Sequence, residues 1–384
     1  MCPNCQDDAR FVGRRGKQVV SLLGELRLRR CYYHCPQCGR GHLPWDAELG
    51  LAASARLTPA ACEATCIAGV QASFAEASER TLEKLAGLRI SESTVERVTE
   101  ATGEQVAEHL RARKTYGTPR SWSWHRDAHG KTCAYVSLDA ISVRQQGPGG
   151  VRVEGRMAYV GMLYNPRSAA APRERRPAAT PHQVRYLAGF YGLDELGLAL
   201  RKQAAQVGWD DAEQQIAISD GGAGLEEFFR RNFPRAVCIL DFWHAKEHLR
   251  ELAQAWFGES SEEGSAWLDE QCHRLKHEGG TAVLNALEMM DTSTVSAVVQ
   301  EVHRCEANYF RNHLHRMDYP RYVAAGWEIG SGPVESSCKT IVGNRLKGGG
   351  MRWGKPGSDA VCALRALFLS EPSQWSALWQ RKAA

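Results

Sequence analysis

Thr132-Cys133-Ala134-Tyr135-Val136-Ser137-Leu138-Asp139 is a short apolar run closed by an acidic residue, and it reads as a buried strand. Ile216-Ala217-Ile218-Ser219-Asp220 repeats the pattern and stops at Gly221-Gly222, and Ala236-Val237-Cys238-Ile239-Leu240-Asp241 repeats it a third time. Further strands are expected near Val151 to Val153 and at Met157-Ala158-Tyr159-Val160-Gly161-Met162-Leu163-Tyr164. Strands alternating with helical stretches imply a mixed α/β sheet. A carboxylate at a strand end sits at the sheet rim, where side chains from separate strands can converge while the strand interiors stay packed.

A third carboxylate comes from Ile329-Gly330-Ser331-Gly332-Pro333-Val334-Glu335-Ser336-Ser337. Pro333 suits the first turn of a helix, and Glu335 in that turn meets the positive end of the helix dipole, which keeps it ionised. Asp139, Asp220 and Glu335 together can hold two divalent cations ~3.5 to 4 Å apart. Such a pair activates an attacking water or 3′-hydroxyl and stabilises the leaving oxygen of a phosphodiester. Each acid alone is also an ordinary cap or turn residue, so the inference rests on the set. The pattern points to a metal-dependent nuclease or DNA strand-transfer enzyme. Asp241-Phe242-Trp243-His244 adds a D-x-x-H pair where strand passes to helix. His244 there contacts a scissile phosphate, orders Asp241, or acts only as a hydrogen-bonded cap. A general-base role is not needed, because metal-bound water supplies the nucleophile.

These residues resemble the ISKra-type bacterial insertion-sequence transposases, a group within the Mutator-like DDE enzymes. The resembling segments include Cys2-Pro3-Asn4-Cys5, Tyr33-His34-Cys35-Pro36-Gln37-Cys38, Ala86 to Ser91, Asp220-Gly221-Gly222 and Leu240 to Leu249. Arg316-Met317-Asp318-Tyr319-Pro320, Gly330 to Ser336 and Arg345 to Trp353 complete the set. The resemblance implies an RNase H-like catalytic domain with an all-helical insertion, preceded by a zinc ribbon and a small helix-turn-helix-like domain. It implies Asp139, Asp220 and Glu335 as a catalytic triad on Mg²⁺ or Mn²⁺, with Asp241 and His244 beside it. The partners it implies are the element's terminal inverted repeats and target DNA, bound by a homo-oligomer. The alternatives are a nuclease of the same fold without strand transfer, or a non-catalytic DNA-binding remnant.

The expected order is a zinc ribbon over 1–45, a helical DNA-binding or assembly domain over 55–114 and a first catalytic part over 131–244. A helical insertion over 245–325 and a catalytic C-terminal part over 326–384 follow. Cys2-x-x-Cys5 and Cys35-x-x-Cys38 are two knuckles able to supply four thiolates to Zn²⁺, with Cys31 and His34 as spare donors. Between them lies the stretch 18–30, whose second half alternates with period two and reads as a strand. Arg14, Arg15, Lys17, Arg27, Arg29 and Arg30 make the ribbon a phosphate-contacting surface. With a knuckle starting at residue 2, an upstream part of the family architecture is expected to be absent or separately encoded.

Phe74, Ala77, Thr81, Leu82 and Leu85 form one apolar helical face that Gly87 ends, and Ser91 can cap a following helix. That second helix carries Glu92 and Glu96 beside Arg97, a poor composition for reading DNA. Cys62 and Cys66 read as core. Arg167, Arg173, Arg175 and Arg176 lie in a Pro- and Ala-rich stretch over 166–181 that reads as an exposed basic loop. Lys339, Arg345, Lys347, Arg352 and Lys355 after Glu335 suit a DNA backbone, and Trp353 either stacks on a base or packs.

The chain of 384 residues is 43% hydrophobic, ample for two or three domains with cores. No run approaches the ~18 to 20 apolar residues of a membrane span, and Met1 to Cys5 lacks a signal-peptide pattern, which favours the bacterial cytoplasm. Thirteen cysteines fit metal ligands and buried thiols better than a disulfide framework. The net charge of +4 permits DNA binding, which depends on a local patch rather than the total.

Overall fold

The N-terminal alternation folds into a hairpin: β1 (Arg10–Ser21) and β2 (Gly24–His34) pair antiparallel, and β3 (Gly41–His42) joins the far side of β2. The strand expected in the second half of 18–30 is the first part of β2, while the first half ends β1, and Gly24 at φ +102 makes the turn between them. The computed structural model describes residues 1–52, 54–166 and 183–380. It divides into two compact units. The first is Met1–Ala107 with Lys355–Phe368 and Pro372–Ala384; the second is Glu108–Gly354 with Leu369–Glu371. The 326–384 segment, expected to belong wholly to the catalytic part, is thus shared between them. The Lys355–Leu369 helix is apolar around nearly its whole circumference and needs cover on more than one side.

In the first unit Val20 bridges to Leu57, and Thr58 caps α1 (Pro59–Gln71) by accepting from the Ala61 N–H. Ala61, Ala68, Ala77, Leu82, Leu88, Ile90 and Val95 form the core, with Cys62 and Phe74 packed against it. The expected apolar face holds for Phe74, Ala77 and Leu82, but Leu85 is 84% exposed. Ala77–Leu85 winds as a π-helix, whose wider turn rotates Leu85 off the buried face. In α2 (Glu92–Arg111), a Cβ on Gly103 would lie 2.2 Å from the Ala360 carbonyl oxygen, so only glycine permits this approach to the Lys355–Leu369 helix. The exposed face of α2 carries Glu92, Glu96, Glu104 and Glu108 against Arg97, a charge balance that repels phosphate.

The second unit is built on a mixed sheet of β4 (His125–Arg126), β5 (Thr132–Gln146), β6 (Arg152–Tyr164), β7 (Val184–Gly189), β8 (Gln214–Ser219) and β9 (Val237–Leu240). The order is β7-β6-β5-β8-β9, with β4 paired to β5; β5, β6 and β7 run antiparallel, while β8 and β9 run parallel to β5. The two strands expected around 151–164 are one. Asp139 does not close its strand either, since β5 continues seven residues to Gln146. Its parallel neighbour β8 does stop there, the last pair being Ser137↔Ile218. Carried forward from that pair and from Ser219↔Leu240, the register sets Asp139, Asp220 and Asp241 at one level on one face.

Val136, Leu138, Ile216, Ile218 and Ile239 are buried beneath that level, each contributing roughly 1.5–3 kcal/mol. α3 (Leu193–Gln206) and α4 (Leu225–Asn232) intervene between strands. After β9 the described residues to 324 contain only helical elements, as expected of the insertion. The long ones are α5 (Phe242–Phe257), α6 (Glu262–Glu278), α7 (Gly280–Glu288) and α8 (Ala297–His313), followed by α9 (Tyr319–Ala324). Then comes α10 (Gly332–Ser337), with Pro333 and Glu335 in its first turn.

Candidate active site and metal ligands

In the ribbon, Cys2 Sγ lies 3.7 Å from Cys38 Sγ and Cys5 Sγ 3.5 Å from Cys35 Sγ. Tetrahedral Zn–S bonds of ~2.3 Å place sulfurs about 3.8 Å apart, so the set fits zinc. Two tight turns present the thiols: Gln6 N–H donates to Cys2 O and Gly39 N–H to Cys35 O. The Arg40 N–H, aided by the facing thiols, brings Cys38 down to about 7, toward the thiolate that a metal needs. These four cysteines could hold zinc. The spare donors Cys31 and His34 lie outside the cluster.

The six basic ribbon residues separate by face. Arg30 is buried in an ion pair with Asp46, Lys17 donates to Ala52 O at 2.7 Å, and Arg15 lies over the Tyr32 ring. Arg14, Arg27 and Arg29 remain exposed. The pairs Arg14↔Cys31, Gly16↔Arg29 and Gln18↔Arg27 put these three on one face of the hairpin, where Arg14 and Arg29 border a groove with Tyr33 and Trp45.

In the second unit, the half-buried Asp139 accepts the Ala140 N–H at 2.6 Å. Burial, with the charges of Asp220 and Asp241 adding, pushes its carboxyl above the usual range, against the Ala140 N–H and a bond to the Cys338 thiol. Asp220 accepts the Gly222 N–H at 2.9 Å. Gly221 has no room for a side chain, since a Cβ would sit 2.7 Å from Tyr309 Cε2. Beneath, buried Arg316 donates to Ser219 Oγ at 2.9 Å and to the carbonyls of Ser219, Asp220 and Ile239 at 3.2 to 3.4 Å. It ties the ends of β8 and β9 together and places a positive charge under the acids.

Asp241 is 1% exposed and caps α5. Its Oδ1 accepts the N–H groups of Trp243 at 3.0 Å and Ser331 at 3.1 Å, and its Oδ2 accepts the Ser331 hydroxyl at 2.6 Å. Ser331 Oγ is also 2.9 Å from Glu335 Oε1. A hydroxyl has one proton, so Ser331 donates to one carboxylate at a time. The Glu335 segment is thereby tied to the end of β9, and the Phe242 N–H to Ile329 O bond at 2.9 Å adds a second tie. Asp139, Asp220 and Glu335 are not among the groups whose ligand atoms all lie within 4.8 Å of one another. Glu335 is exposed on α10, with its side chain turned to Ser331. The all-oxygen donor set, with one aspartate raised by burial and by its acidic neighbours, fits a hard divalent cation.

His244 makes no bond to Asp241. Its Nδ1 lies 3.4 Å from Glu247, and its ring meets His248 edge-on. Arg345 is buried over the Trp353 ring, and Trp353 Nε1 donates to Leu346 O at 3.1 Å, so both residues pack rather than face DNA. Lys339 and Lys347 remain exposed. The basic stretch with Arg167, Arg173, Arg175 and Arg176 lies outside the described residues. Tyr309 and Cys338 had no signal in spacing, and Ser331 and Arg316 stood out only within the resembling segments Gly330 to Ser336 and Arg316 to Pro320.

No helix among the described residues is long and apolar enough to cross a membrane. No protein-family model matches the sequence, and no curated protein matches it significantly.

Proposed function

We propose that the chain is a DDE transposase of the ISKra type, which cuts phosphodiester bonds at the ends of its element and joins the 3′-ends to target DNA. The observation that carries this reading is the common level of Asp139 and Asp220 on adjacent parallel strands, with Glu335 held nearby through Ser331 and Asp241. Three antiparallel strands followed by two parallel ones support an RNase H-like core.

Asp139, Asp220 and Glu335 would hold Mg²⁺ or Mn²⁺, which supplies activation of the attacking oxygen and neutralisation of the leaving one. Asp241 positions the Glu335 segment, Arg316 fixes the strand ends, and exposed Lys339 and Lys347 attract the phosphate backbone. Cys2, Cys5, Cys35 and Cys38 would hold a structural Zn²⁺, and Arg14, Arg27 and Arg29 form the DNA-docking face of the ribbon. The acidic exposed face of α2 favours packing or assembly over base reading for the helical domain. Coordinated transfer needs two DNA ends, so a homo-oligomer on DNA is expected.

The test is Mg²⁺- or Mn²⁺-dependent cleavage and joining of a labelled duplex carrying the terminal inverted repeat, comparing wild type with Glu335→Gln. Joined products that vanish in the variant support the transposase. Cleavage without joining favours a nuclease, and binding without metal-dependent chemistry in either protein favours a DNA-binding remnant.

A further inference from the structure

Between α5 and α8, three ligand-type side chains converge that the proposed chemistry does not use. His248 and Glu251 stand three residues apart and so share one face of α5, and Glu306 projects from α8. Their ligand atoms all lie within 4.8 Å of one another, and His248 Nδ1 is 2.6 Å from Glu306 Oε2.

Two observations go beyond proximity. Glu306 is only 6% exposed and shares the packed side of α8 with Ala307 and Phe310. Glu251 forms no hydrogen bond or ion pair among the described residues, although it stands beside this buried carboxylate. A single imidazole cannot neutralise two carboxylates, so the cluster keeps a net negative charge even with His248 protonated. Like charges held this close, one of them desolvated, are unfavourable without a further cation. A divalent ion with neutral His248 makes the set neutral.

We infer that His248, Glu251 and Glu306 form a second metal site, which takes a zinc-class transition-metal ion and pins α8 to α5. One imidazole and two carboxylates match the three-protein-ligand pattern of zinc sites that leave one position to water. Ligand bonds of about 2.0–2.2 Å in tetrahedral geometry set donor atoms about 3.4 Å apart. His248 and Glu306 therefore have to part by less than 1 Å from their 2.6 Å contact, within reach of side-chain rotation. Tyr309 backs the site, its ring stacked on His248 at 3.6 Å between centroids. The same ring lies against Gly221, so an ion here would also brace the turn that carries Asp220. The site does not depend on the transposase reading.

The full chain is equilibrated by dialysis at a fixed free Zn²⁺ concentration, and bound zinc is counted by mass spectrometry in wild type, Glu251→Gln and Glu306→Gln. The same three are made in an Asp139→Asn/Asp220→Asn background, which removes zinc taken up by the carboxylate centre. Each Glu variant is expected to hold one zinc fewer than its parent in both backgrounds. Glu251 is exposed, so its variant folds even if loss of buried Glu306 disturbs the core. Equal zinc in parent and Glu251→Gln overturns the site. So does a deficit that disappears once Asp139 and Asp220 are changed.

Discussion

Asp241→Ala should destabilise the second unit by about 3–5 kcal/mol without any divalent cation present, and Asp241→Asn by only about 1–2 kcal/mol. The figures come from three bonds: Trp243 N–H at 3.0 Å, Ser331 N–H at 3.1 Å and Ser331 O–H at 2.6 Å. Hydrogen bonds to a charged group contribute about 1.5–3 kcal/mol each and do not add fully, and loss of a helix cap alone costs about 1 kcal/mol. Alanine leaves all three donors without an acceptor at a position 1% exposed. Asparagine keeps an amide oxygen for both N–H groups and can turn its NH₂ toward Ser331 Oγ, which then donates wholly to Glu335. Urea unfolding followed by tryptophan fluorescence, in buffer free of Mg²⁺ and Mn²⁺, measures both variants. For a unit of this size, each kcal/mol corresponds to roughly 2–4 °C in melting temperature. An alanine variant within about 1 kcal/mol of wild type refutes the cap assignment. A loss that appears only when a divalent cation is added makes Asp241 a metal ligand instead.

Asp139→Asn should abolish metal-dependent cleavage yet raise stability at pH 7, by on the order of 1 kcal/mol. Burial and the charges of Asp220 and Asp241 raise the Asp139 carboxyl, so the folded state binds that proton more tightly than the unfolded one. Stability from this group is complete below the ordinary aspartate range and falls as pH rises through the folded value, so thermal melts of the two proteins should converge in acid. Gly221→Ala should cost about 1–3 kcal/mol by driving a methyl into Tyr309, and Tyr309→Leu should recover part of it; full additivity in melts of the double variant counts against the contact. Arg14→Ala and Arg29→Ala should each lower the slope of log affinity against log salt by about 1 with the fold intact. Arg30→Ala, which breaks the buried pair with Asp46, should instead lower stability by about 3–5 kcal/mol, and equal effects of all three on DNA binding would contradict the division of the hairpin into two faces.

The aspartate strands and the helix after Pro333 were legible because each is announced locally: an apolar run bounded by Asp or Gly, or a proline that starts a turn. Where a second element decides the outcome, the same signals misled. Asp139 looked like the end of a strand, but Ile141 and Val143 continue the alternation, and pairing with β6 carries β5 on to Gln146. Leu85 fitted a 3.6-residue period that the π-helix does not follow. Basic residues counted along β1 and β2 looked equivalent until the register sent Arg30 inward and Arg14, Arg27 and Arg29 outward. Arg316 acts on partners 77 to 97 residues away and Ser331 on one 90 residues away, through carbonyls and a capping carboxylate that leave no periodic trace.

The three acids are held with unequal firmness. Asp139 is fixed inside a long strand, paired with Val160 of β6 on one side and following the last β8 pair, Ser137↔Ile218, on the other, and Asp220 follows a strand end gripped by Arg316. Glu335 stands on a six-residue helix whose start is tied to β9 through Ser331 and Asp241, and its own side chain is exposed. If the three acids hold a cation as proposed, closing the site would fall to Glu335: the Ser331 hydroxyl can stay on Asp241 while the Glu335 carboxylate leaves it, so the cap need not break. On that proposal Asp241 would act by positioning, since both its carboxylate oxygens already accept bonds that set where Glu335 starts.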